Sequence, residues 1–498
     1  MIQCLRSFIL FLVMILWLFS CQKLPDKQVV NTNVFSMNHP NFHSDLQYKI
    51  QKIYTDYQIQ GDVVFAIVDS SGLAYSYIVN KDVLEKRPTK YNDESPLYIA
   101  SHTKSFTGTL LKILEEQGEI DLNASVKKYL PELHLNDKID LDRITVKQLL
   151  NHTHGLFNTQ LAWKTAFLGY SGNNIELIED FNNDFQYDSS HQFRYSNVGP
   201  ILAAMIVEKV SGKSWKQCMQ DEIFNPLQMR GTTTEVSDFE KNEIMPSYTI
   251  DGSNSVVNSG FFKDDITMHA SGGVLSSVSD LSKWICANIN QEKNLLTQEN
   301  WNELHTSTTR QDRTYFTYHR NGYSLGWDVA TYQNDTILTR FGGLAGISFH
   351  ASFIPKKKVG IIAFSNDSRA YLLPHLLANY AYNYLFRPTH ADSIFKKESA
   401  LFQESFEKEN EIRYPLQDNV LVVSDSINPI LGRYVNDKGW PDITLMTKDD
   451  HYIFKWGIQD GVIFMNGEAY QADLGVMQRD FLIENDSLFT GSLNYIKE

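Results

Sequence analysis

The feature of this sequence that most constrains its fold is a serine one helical turn before a lysine, in the stretch YIASHTKSFTGTLLKILEEQGEIDLN (residues 98–123). Ser101 and Lys104 would share a face of a helix, because side chains three residues apart are neighbours there. Apolar residues then repeat at helical spacing up to Gly118, where a helix would end. A hydroxyl at a helix N-terminus with an amine over it is a candidate activated nucleophile.

The Ser-x-x-Lys pattern is weak evidence by itself, because it recurs along the chain. It begins at Ser20, Ser101, Ser125, Ser393 and Ser405. Only Ser101 opens an apolar-faced helix, where the lysine would be partly removed from water. Desolvation matters because a solvated lysine has a pKa of about 10, so it is protonated and cannot accept the proton of the serine.

A second pattern, Tyr-x-Asn, occurs at Tyr195, Tyr332 and Tyr434. The segment FRYSNVGPILAAMIVEKVSG places Tyr195 and Asn197 just before a predicted helix. A loop in that position can project a phenol hydroxyl and an amide into a cleft. Neither pattern decides a function alone, and the ordered set of motifs is what carries information.

The formal net charge of −14 predicts that the protein does not bind nucleic acid, since phosphate backbones need a basic surface. The apolar N-terminal run in MIQCLRSFILFLVMILWLFSC is short for a membrane span and predicts a signal peptide over residues 1–20. It ends in LFSC, which resembles the bacterial lipobox and implies a lipid on Cys21. We therefore expect a lipid-anchored protein of the cell envelope, with a plain signal anchor as the alternative.

The remaining chain divides by pattern into three parts. Residues 21–45 are polar and aperiodic and predict a tether. Residues 46–387 begin and end with strand-like runs around a helical middle, which predicts an α/β (α+β) domain: one antiparallel sheet built from both ends, with a helical subdomain beside it. Residues 388–498 predict a linker helix and a small antiparallel β domain. The active site would lie in the cleft between sheet and helices.

Further motifs follow the first two in a fixed order. They are ITVKQLLNHTHGL (144–156), YSNVG (195–199), NPLQM (225–229), ASGGVLSSVSDLSKW (270–284) and GYSLGW (322–327). With the nucleophile helix, this order over about residues 46–386 resembles the serine β-lactamase and penicillin-recognising superfamily. The resemblance is closest to class C β-lactamases and their esterase and D-amino-acid peptidase relatives.

The resemblance implies a role for each matching residue. Ser101 would be the nucleophile that becomes acylated, and Lys104 its proton acceptor or the electrostatic partner of the base. Tyr195 would pass protons between the nucleophile, the leaving group and water, and Asn197 would hydrogen-bond the substrate amide. The backbone amides of Ser101 and Gly343 would stabilise the oxyanion, as acyl transfer requires.

The third motif of the superfamily departs from its usual form. Relatives carry Lys-Thr-Gly or His-x-Gly, where this chain has Arg340-Phe341-Gly342-Gly343. Gly342 and Gly343 permit close approach of the substrate backbone. Arg340 stays protonated, so it can attract an anion and cannot shuttle a proton; it either grips a substrate carboxylate or pairs with a carboxylate of the protein. Phe341 removes a hydroxyl that would bind a substrate carboxylate, which argues against efficient β-lactam recognition.

We expect a monomeric serine hydrolase that acts through an acyl-enzyme on esters, D-amino-acid peptides or amides, or β-lactams. Its substrate would be a small molecule or a peptide, and it would need neither a metal nor an organic cofactor. His152 and His154 suggest a metal pair, but without His-Glu-x-x-His or a third ligand we expect structural histidines. The alternative function is a penicillin-binding or sensory module of the same fold without useful turnover.

Overall fold

The computed structural model describes residues 41–134, 139–183, 186–250, 255–411, 420–421, 427–466, 469–475 and 477–498. Contacts divide the chain into Met1–Asn38 and His39–Glu498. The predicted signal peptide, Cys21 and the tether up to residue 40 therefore lie outside the described residues. None of the helices in the described part combines the length and the apolar character that a membrane span needs.

Along the chain, most of the helices lie between an early pair of strands and a later series of strands, which together form the first sheet. They are Phe42–Asp56 (α1), Lys81–Leu84 (α2), Thr103–Glu116 (α3), Val126–Tyr129 (α4), Val146–Leu150 (α5), Thr159–Trp163 (α6), Asn174–Asn183 (α7), Val198–Ser211 (α8), Trp215–Met219 (α9), Val278–Asn290 (α10), Gln298–His305 (α11), Leu373–Phe386 (α12) and Ala391–Asn410 (α13). Helix α1 begins inside the segment predicted as a tether, because its apolar face is buried: Phe42 is only 2% exposed.

The strands fall into two large sheets and three short pairs. The first group comprises Val63–Asp69 (β1), Gly72–Val79 (β2), Leu97–Tyr98 (β3), Leu156–Phe157 (β4), Gln186–Tyr187 (β5), Tyr248–Ile250 (β6), Val256–Asn258 (β7), Leu275–Ser276 (β8), Thr309–Tyr315 (β9), Tyr318–Tyr323 (β10), Asp328–Tyr332 (β11), Asp335–Thr339 (β12), Gly342–Leu344 (β13), Ile347–Ile354 (β14) and Val359–Ser365 (β15). The second group comprises Val420–Leu421 (β16), Gly432–Val435 (β17), Ile443–Lys448 (β18), His451–Trp456 (β19), Gln459–Asn466 (β20), Ala469–Asp473 (β21), Gln478–Glu484 (β22), Ser487–Thr490 (β23) and Leu493–Lys497 (β24).

The first sheet joins both ends of the predicted catalytic region. Its strand order is β2-β1-β15-β14-β12-β11-β10-β9, with β13 on β14, and its pairs are antiparallel. The early strand β1 lies against the late strand β15, with Val63 opposite Ser365. Both strands consist mainly of β-branched and apolar residues and are buried almost throughout, as expected of strands with a neighbour on each side. The predicted fold class is confirmed.

Helix α3 runs through the core beside this sheet. All of its residues from Thr103 to Leu114 are buried, so it is covered on every side. The ring of Phe106 stacks on that of Trp284 in α10, with 4.0 Å between ring centroids. A helix held in this way fixes the position of any side chain at its N-terminus.

The second sheet forms the C-terminal part of the molecule and confirms the predicted antiparallel β domain. Its order is β16-β20-β19-β18-β17-β24-β23-β22-β21, with an additional pairing of β20 with β21. It contacts the helical region through the amide of Ile458, which donates to the Leu168 carbonyl at 2.9 Å, and through Gln459, which donates to the Phe167 carbonyl at 3.0 Å. The two parts are therefore packed together rather than joined only by a linker.

Gly108 tests how tightly α3 is held. A β-carbon at this position would lie 1.6 Å from the carbonyl oxygen of Leu325. Alanine gains about 1 kcal/mol of helix propensity over glycine, but overpacking against backbone costs about 1–3 kcal/mol or more. We expect Gly108→Ala to lower the free energy of unfolding by about 2 kcal/mol in urea denaturation, balancing these terms. Gln117→Ala at the exposed helix end should change it by less than about 0.5 kcal/mol; a stabilised Gly108→Ala would contradict the close contact.

Candidate active site

Ser101 lies in a short 3₁₀ turn, Ala100–His102, that leads directly into α3. Ala100 has a φ of 45°, in the left-handed region that residues with a β-carbon rarely adopt. Gly342 lies against this turn, and a β-carbon there would be 2.2 Å from the Ile99 carbonyl oxygen. The strained residue and the close strand together fix the backbone that presents Ser101.

Lys104 is 2% exposed, and its ammonium contacts three oxygens. Its Nζ lies 3.3 Å from Ser101 Oγ, 2.8 Å from Asn197 Oδ1 and 2.6 Å from the Ser271 carbonyl. A protonated lysine has three donors, so these contacts satisfy it fully. The predicted pair of Ser101 and Lys104 is thus extended by Asn197 and by a backbone carbonyl from the ASGGVLSS segment.

Tyr195 lies on the other side of the serine. Its hydroxyl donates to Ser101 Oγ at 3.0 Å, and Lys104 Nζ lies 4.8 Å from its ring centroid. Asn197 follows at the start of α8. The structure therefore brings together Ser101, Lys104, Tyr195 and Asn197, although they are separated by up to 96 positions in the numbering of the chain.

His152 packs against the loop that carries Tyr195, and His154 lies two residues further along the chain. The ring of His152 is 4.6 Å from that of Tyr195, and its carbonyl accepts from the Arg194 amide at 2.9 Å. His154 Nδ1 accepts from the Leu156 amide at 3.0 Å. Within the described ranges, no three His, Cys, Asp or Glu side chains are grouped so as to hold a metal ion. These contacts give both histidines a structural role.

Arg340 faces the catalytic cluster, and each of its nitrogens has a partner within the protein. Nε donates to the Ser101 carbonyl at 3.0 Å, one terminal nitrogen donates to the Tyr195 hydroxyl at 2.9 Å, and the other to Asp328 Oδ2 at 3.3 Å. Arg340 as a whole is only 6% exposed to solvent. Of the two alternatives drawn from the sequence, the pair with a protein carboxylate is formed, yet the guanidinium does not turn away from the site.

The rest of the third motif divides between the core and the site. Phe341 packs between His350 and His375, with ring centroids 4.7 and 4.2 Å away, so its ring belongs to the core. Gly343 pairs with Ser348 of β14, and a β-carbon there would meet only the Ile347 carbonyl, at 3.9 Å. The strand therefore leaves open space at Gly343, beside the turn that presents Ser101.

Two pKa values are shifted toward neutrality by these contacts. Burial lowers the pKa of Lys104 to about 8, with Arg340 also favouring the neutral amine. Burial raises the pKa of Tyr195, but Arg340 and Lys104 together outweigh it and bring the pKa to about 8. Because the two groups interact, they titrate as a pair. Once the pair has lost one of its protons, which happens increasingly as the pH approaches 8, it can accept the proton of Ser101.

Sequence reasoning missed two parts of the site. Ser271 lies in the motif ASGGVLSSVSDLSKW but contributes only its backbone carbonyl, which no side-chain motif reveals. Asp328 directly follows the GYSLGW block and is 1% exposed. A single carboxylate at the head of an apolar strand was the available signal, because a buried charge of this kind requires a partner.

The amino-acid sequence matches known proteins over the catalytic region. A family model described as Beta-lactamase matches residues 46–373. Protein flp of Staphylococcus aureus (strain MW2) is 28% identical over 305 residues, which are 60% of this chain and 57% of that protein. Unguisins hydrolase ungD' of Aspergillus campestris is 21% identical over 289 residues, 56% of this chain and 54% of that protein. The chain thus spans somewhat more than half the length of these curated relatives.

Solved structures share the fold over a longer range. The octameric penicillin-binding protein homologue from Pyrococcus abyssi aligns with a TM-score of 0.58 at 21% identity, covering 91% of this chain and 99% of that chain. D-amino acid amidase from Ochrobactrum anthropi SV3, complexed with L-phenylalanine amide, aligns with a TM-score of 0.55 at 20% identity. The alignment covers 74% of this chain and 100% of that chain. These likenesses establish the fold.

The coupled titration of Lys104 and Tyr195 predicts that the reactivity of Ser101 depends on pH. Ser101 becomes nucleophilic when the pair has lost a proton, so its rate of reaction with a fluorophosphonate should rise about tenfold per pH unit and level off near pH 8. Tyr195→Phe and Lys104→Met should each lower the plateau by about 100-fold or more. A wild-type rate that stays flat from about pH 6 to pH 9 would contradict the assigned acid–base pair.

Proposed function

Because the chain belongs to the β-lactamase family, we propose that it is a serine hydrolase that forms an acyl-enzyme on Ser101. One observation carries this proposal: Ser101 Oγ lies 3.3 Å from the Lys104 amine and 3.0 Å from the Tyr195 hydroxyl. A serine hydroxyl needs a nearby group to take its proton before it can attack a carbonyl carbon. Both candidate acceptors have a pKa of about 8, close to physiological pH.

In the first half of the proposed reaction, Ser101 Oγ attacks the substrate carbonyl carbon and its proton passes to the Lys104–Tyr195 pair. The negative charge on the carbonyl oxygen would be stabilised by the amides of Ser101 and Gly343. Tyr195 then protonates the leaving group, and the acyl-enzyme remains. In the second half, the pair takes a proton from the water that attacks the acyl-enzyme ester, and it returns that proton to Ser101 Oγ as the bond from Oγ to the acyl carbon breaks and the acid is released.

The substrates that we propose are esters and amides of D-amino acids rather than β-lactams. The β-lactam nucleus carries a carboxylate, and in the Arg340-Phe341 segment the one cation is buried and already paired with a carboxylate of the protein. The Arg340 nitrogens donate to Ser101, Tyr195 and Asp328, and the Phe341 ring is in the core. The fold shared with a D-amino acid amidase supports a D-amino-acid amide as the first compound to assay.

Three sequence-based expectations remain proposals alongside this function. The lipobox-like LFSC segment supports lipidation of Cys21 and a location in the cell envelope. The order of the motifs supports a class C-like relationship within the family. The monomeric state is likewise kept as a proposal.

Replacement of the nucleophile tests the proposed function. Ser101→Ala should abolish hydrolysis of an activated ester and labelling by a fluorophosphonate, while the melting temperature stays nearly unchanged. Ser125→Ala is a matched control, because Ser125 also begins a Ser-x-x-Lys sequence but caps α4 by accepting from the Lys128 amide. That control should cost about 1 kcal/mol of stability and leave activity intact.

Two results would redirect this proposal. Turnover by Ser101→Ala close to that of the wild type would exclude Ser101 as the nucleophile. A Ser101 adduct that forms with every activated ester, and is never released, would instead favour the penicillin-binding or sensory module. Release of product with more than one turnover per protein molecule is the result that supports a hydrolase.

A further inference from the structure

A buried carboxylate lies directly behind Arg340. Asp328, at the head of β11, is 1% exposed and accepts from Arg340 at 3.3 Å. Gln311 Nε2 in β9 donates to its other oxygen at 2.8 Å and also donates to the Gly322 carbonyl at 2.8 Å. Arg320 Nε in β10 lies 3.7 Å from the same carboxylate. Residues of the neighbouring strands β9 and β10, together with Arg340, thus hold Asp328 in one position.

We propose that Asp328 is a positioning residue of the hydrolase, which holds the Arg340 guanidinium with one donor on the Tyr195 hydroxyl and another on the Ser101 carbonyl. The inference rests on the proposed function and assigns a further residue to the same site. A guanidinium is a rigid planar fork, so fixing one of its arms fixes the direction of the other two. The chain of contacts runs from Gln311 through Asp328, Arg340 and Tyr195 to Ser101.

Geometry makes this fixation necessary. The two other acceptors of Arg340, the Tyr195 hydroxyl and the Ser101 carbonyl, are neutral oxygens in the resting protein, whereas Asp328 offers a charge-assisted hydrogen bond. Without the carboxylate, the guanidinium would retain no charged partner at 4 Å or less among the described residues. It would then be free to turn toward solvent, and Tyr195 would lose the cation that favours its phenolate.

Several charged or titratable groups surround Tyr195 and must be held constant in any test. Lys104 approaches from α3, His152 from the loop after α5, and Tyr323 from β10. The charges behind them are Arg340, Asp328, Arg320 and Arg313. Asp328 is the one carboxylate among these named groups, and its negative charge raises the pKa of Tyr195. By holding Arg340 on the Tyr195 hydroxyl it lowers that pKa. The two effects act in opposite directions, so an experiment can separate them.

The deciding experiment is the pH profile of kcat/KM of Asp328→Asn on a neutral activated ester. If Asp328 positions Arg340, the guanidinium leaves the Tyr195 hydroxyl and the acid limb of the profile moves upward by about 1 to 3 pH units. If Asp328 acts only through its charge, Arg340 stays in place without the opposing charge, and the limb moves downward. An unchanged or lowered limb overturns the proposal.

A second variant covers the case in which Asp328→Asn does not fold. Asp328→Glu keeps the charge and lengthens the side chain, so positioning predicts a raised acid limb and a purely electrostatic role predicts an unchanged one. In either variant kcat should fall about tenfold or more near neutral pH, while KM stays within about threefold, because the Arg340 nitrogens are engaged by the protein. A change confined to KM contradicts positioning.

Asp367 provides a matched control. It is a fully buried aspartate that pairs with Arg369 at 2.7 Å, and none of its contacts is with the Ser101 cluster. Asp367→Asn should lower stability to an extent similar to Asp328→Asn and leave the pH profile in place. Equal movement of the limb in both variants would show that loss of any buried pair disturbs the site, and would overturn the specific role of Asp328.

The role of Arg340 as the intermediary is tested by combining variants. Arg340→Gln should raise the acid limb as Asp328→Asn does, and the double variant should move it little further, because both changes remove the same cation from Tyr195. Additive shifts would overturn the chain of contacts. Failure of the proposed function gives a different result, because Ser101→Ala would then retain activity. Failure of this inference leaves labelling of Ser101 intact and changes only the direction in which the acid limb of the pH profile moves.

Discussion

The amine of Lys104 is buried against the Ser101 hydroxyl, and the rest of the site depends on this contact. Burying an ammonium is unfavourable unless hydrogen bonds replace its water. The replacement comes from three elements of the chain: Ser101 in the turn before α3, Asn197 at the start of α8, and the Ser271 carbonyl in the loop before β8. One side chain therefore ties together the segments that form the cleft.

Rigid backbone around the nucleophile complements this contact. Ala100 is held at a φ that its β-carbon disfavours, and the close approach of Gly342 to Ile99 leaves the turn little room to relax. Arg340 adds a hydrogen bond to the carbonyl of Ser101 itself. The serine is thus presented in one geometry before any substrate binds, which is the preorganisation that acyl transfer requires.

The sequence predicted most of the fold and the residues that act through side chains within recognisable motifs. β1 and β15 are apolar runs from the two ends of the catalytic region, so their place in one sheet was predictable, whereas the register between them is known only from the structure. The orientation of Arg340 could not be predicted, because both a substrate carboxylate and a protein carboxylate satisfy a guanidinium, and only the position of Asp328 decides between them. Ser271 was unpredictable for a different reason: any residue can supply a carbonyl, so its contact with Lys104 depends on the path of the backbone alone.

Tyr195 loses its proton near pH 8 as part of a coupled pair with Lys104, because Arg340 and Lys104 outweigh the effect of burial on its pKa. The ultraviolet absorbance of tyrosinate measures this directly, since burial raises the pKa of other tyrosines such as Tyr98. We predict that the wild-type protein gains the absorbance of one tyrosinate with a midpoint near pH 8, and that Tyr195→Phe lacks this step while the later steps remain. Identical titrations of the two proteins would show that Tyr195 does not ionise near pH 8.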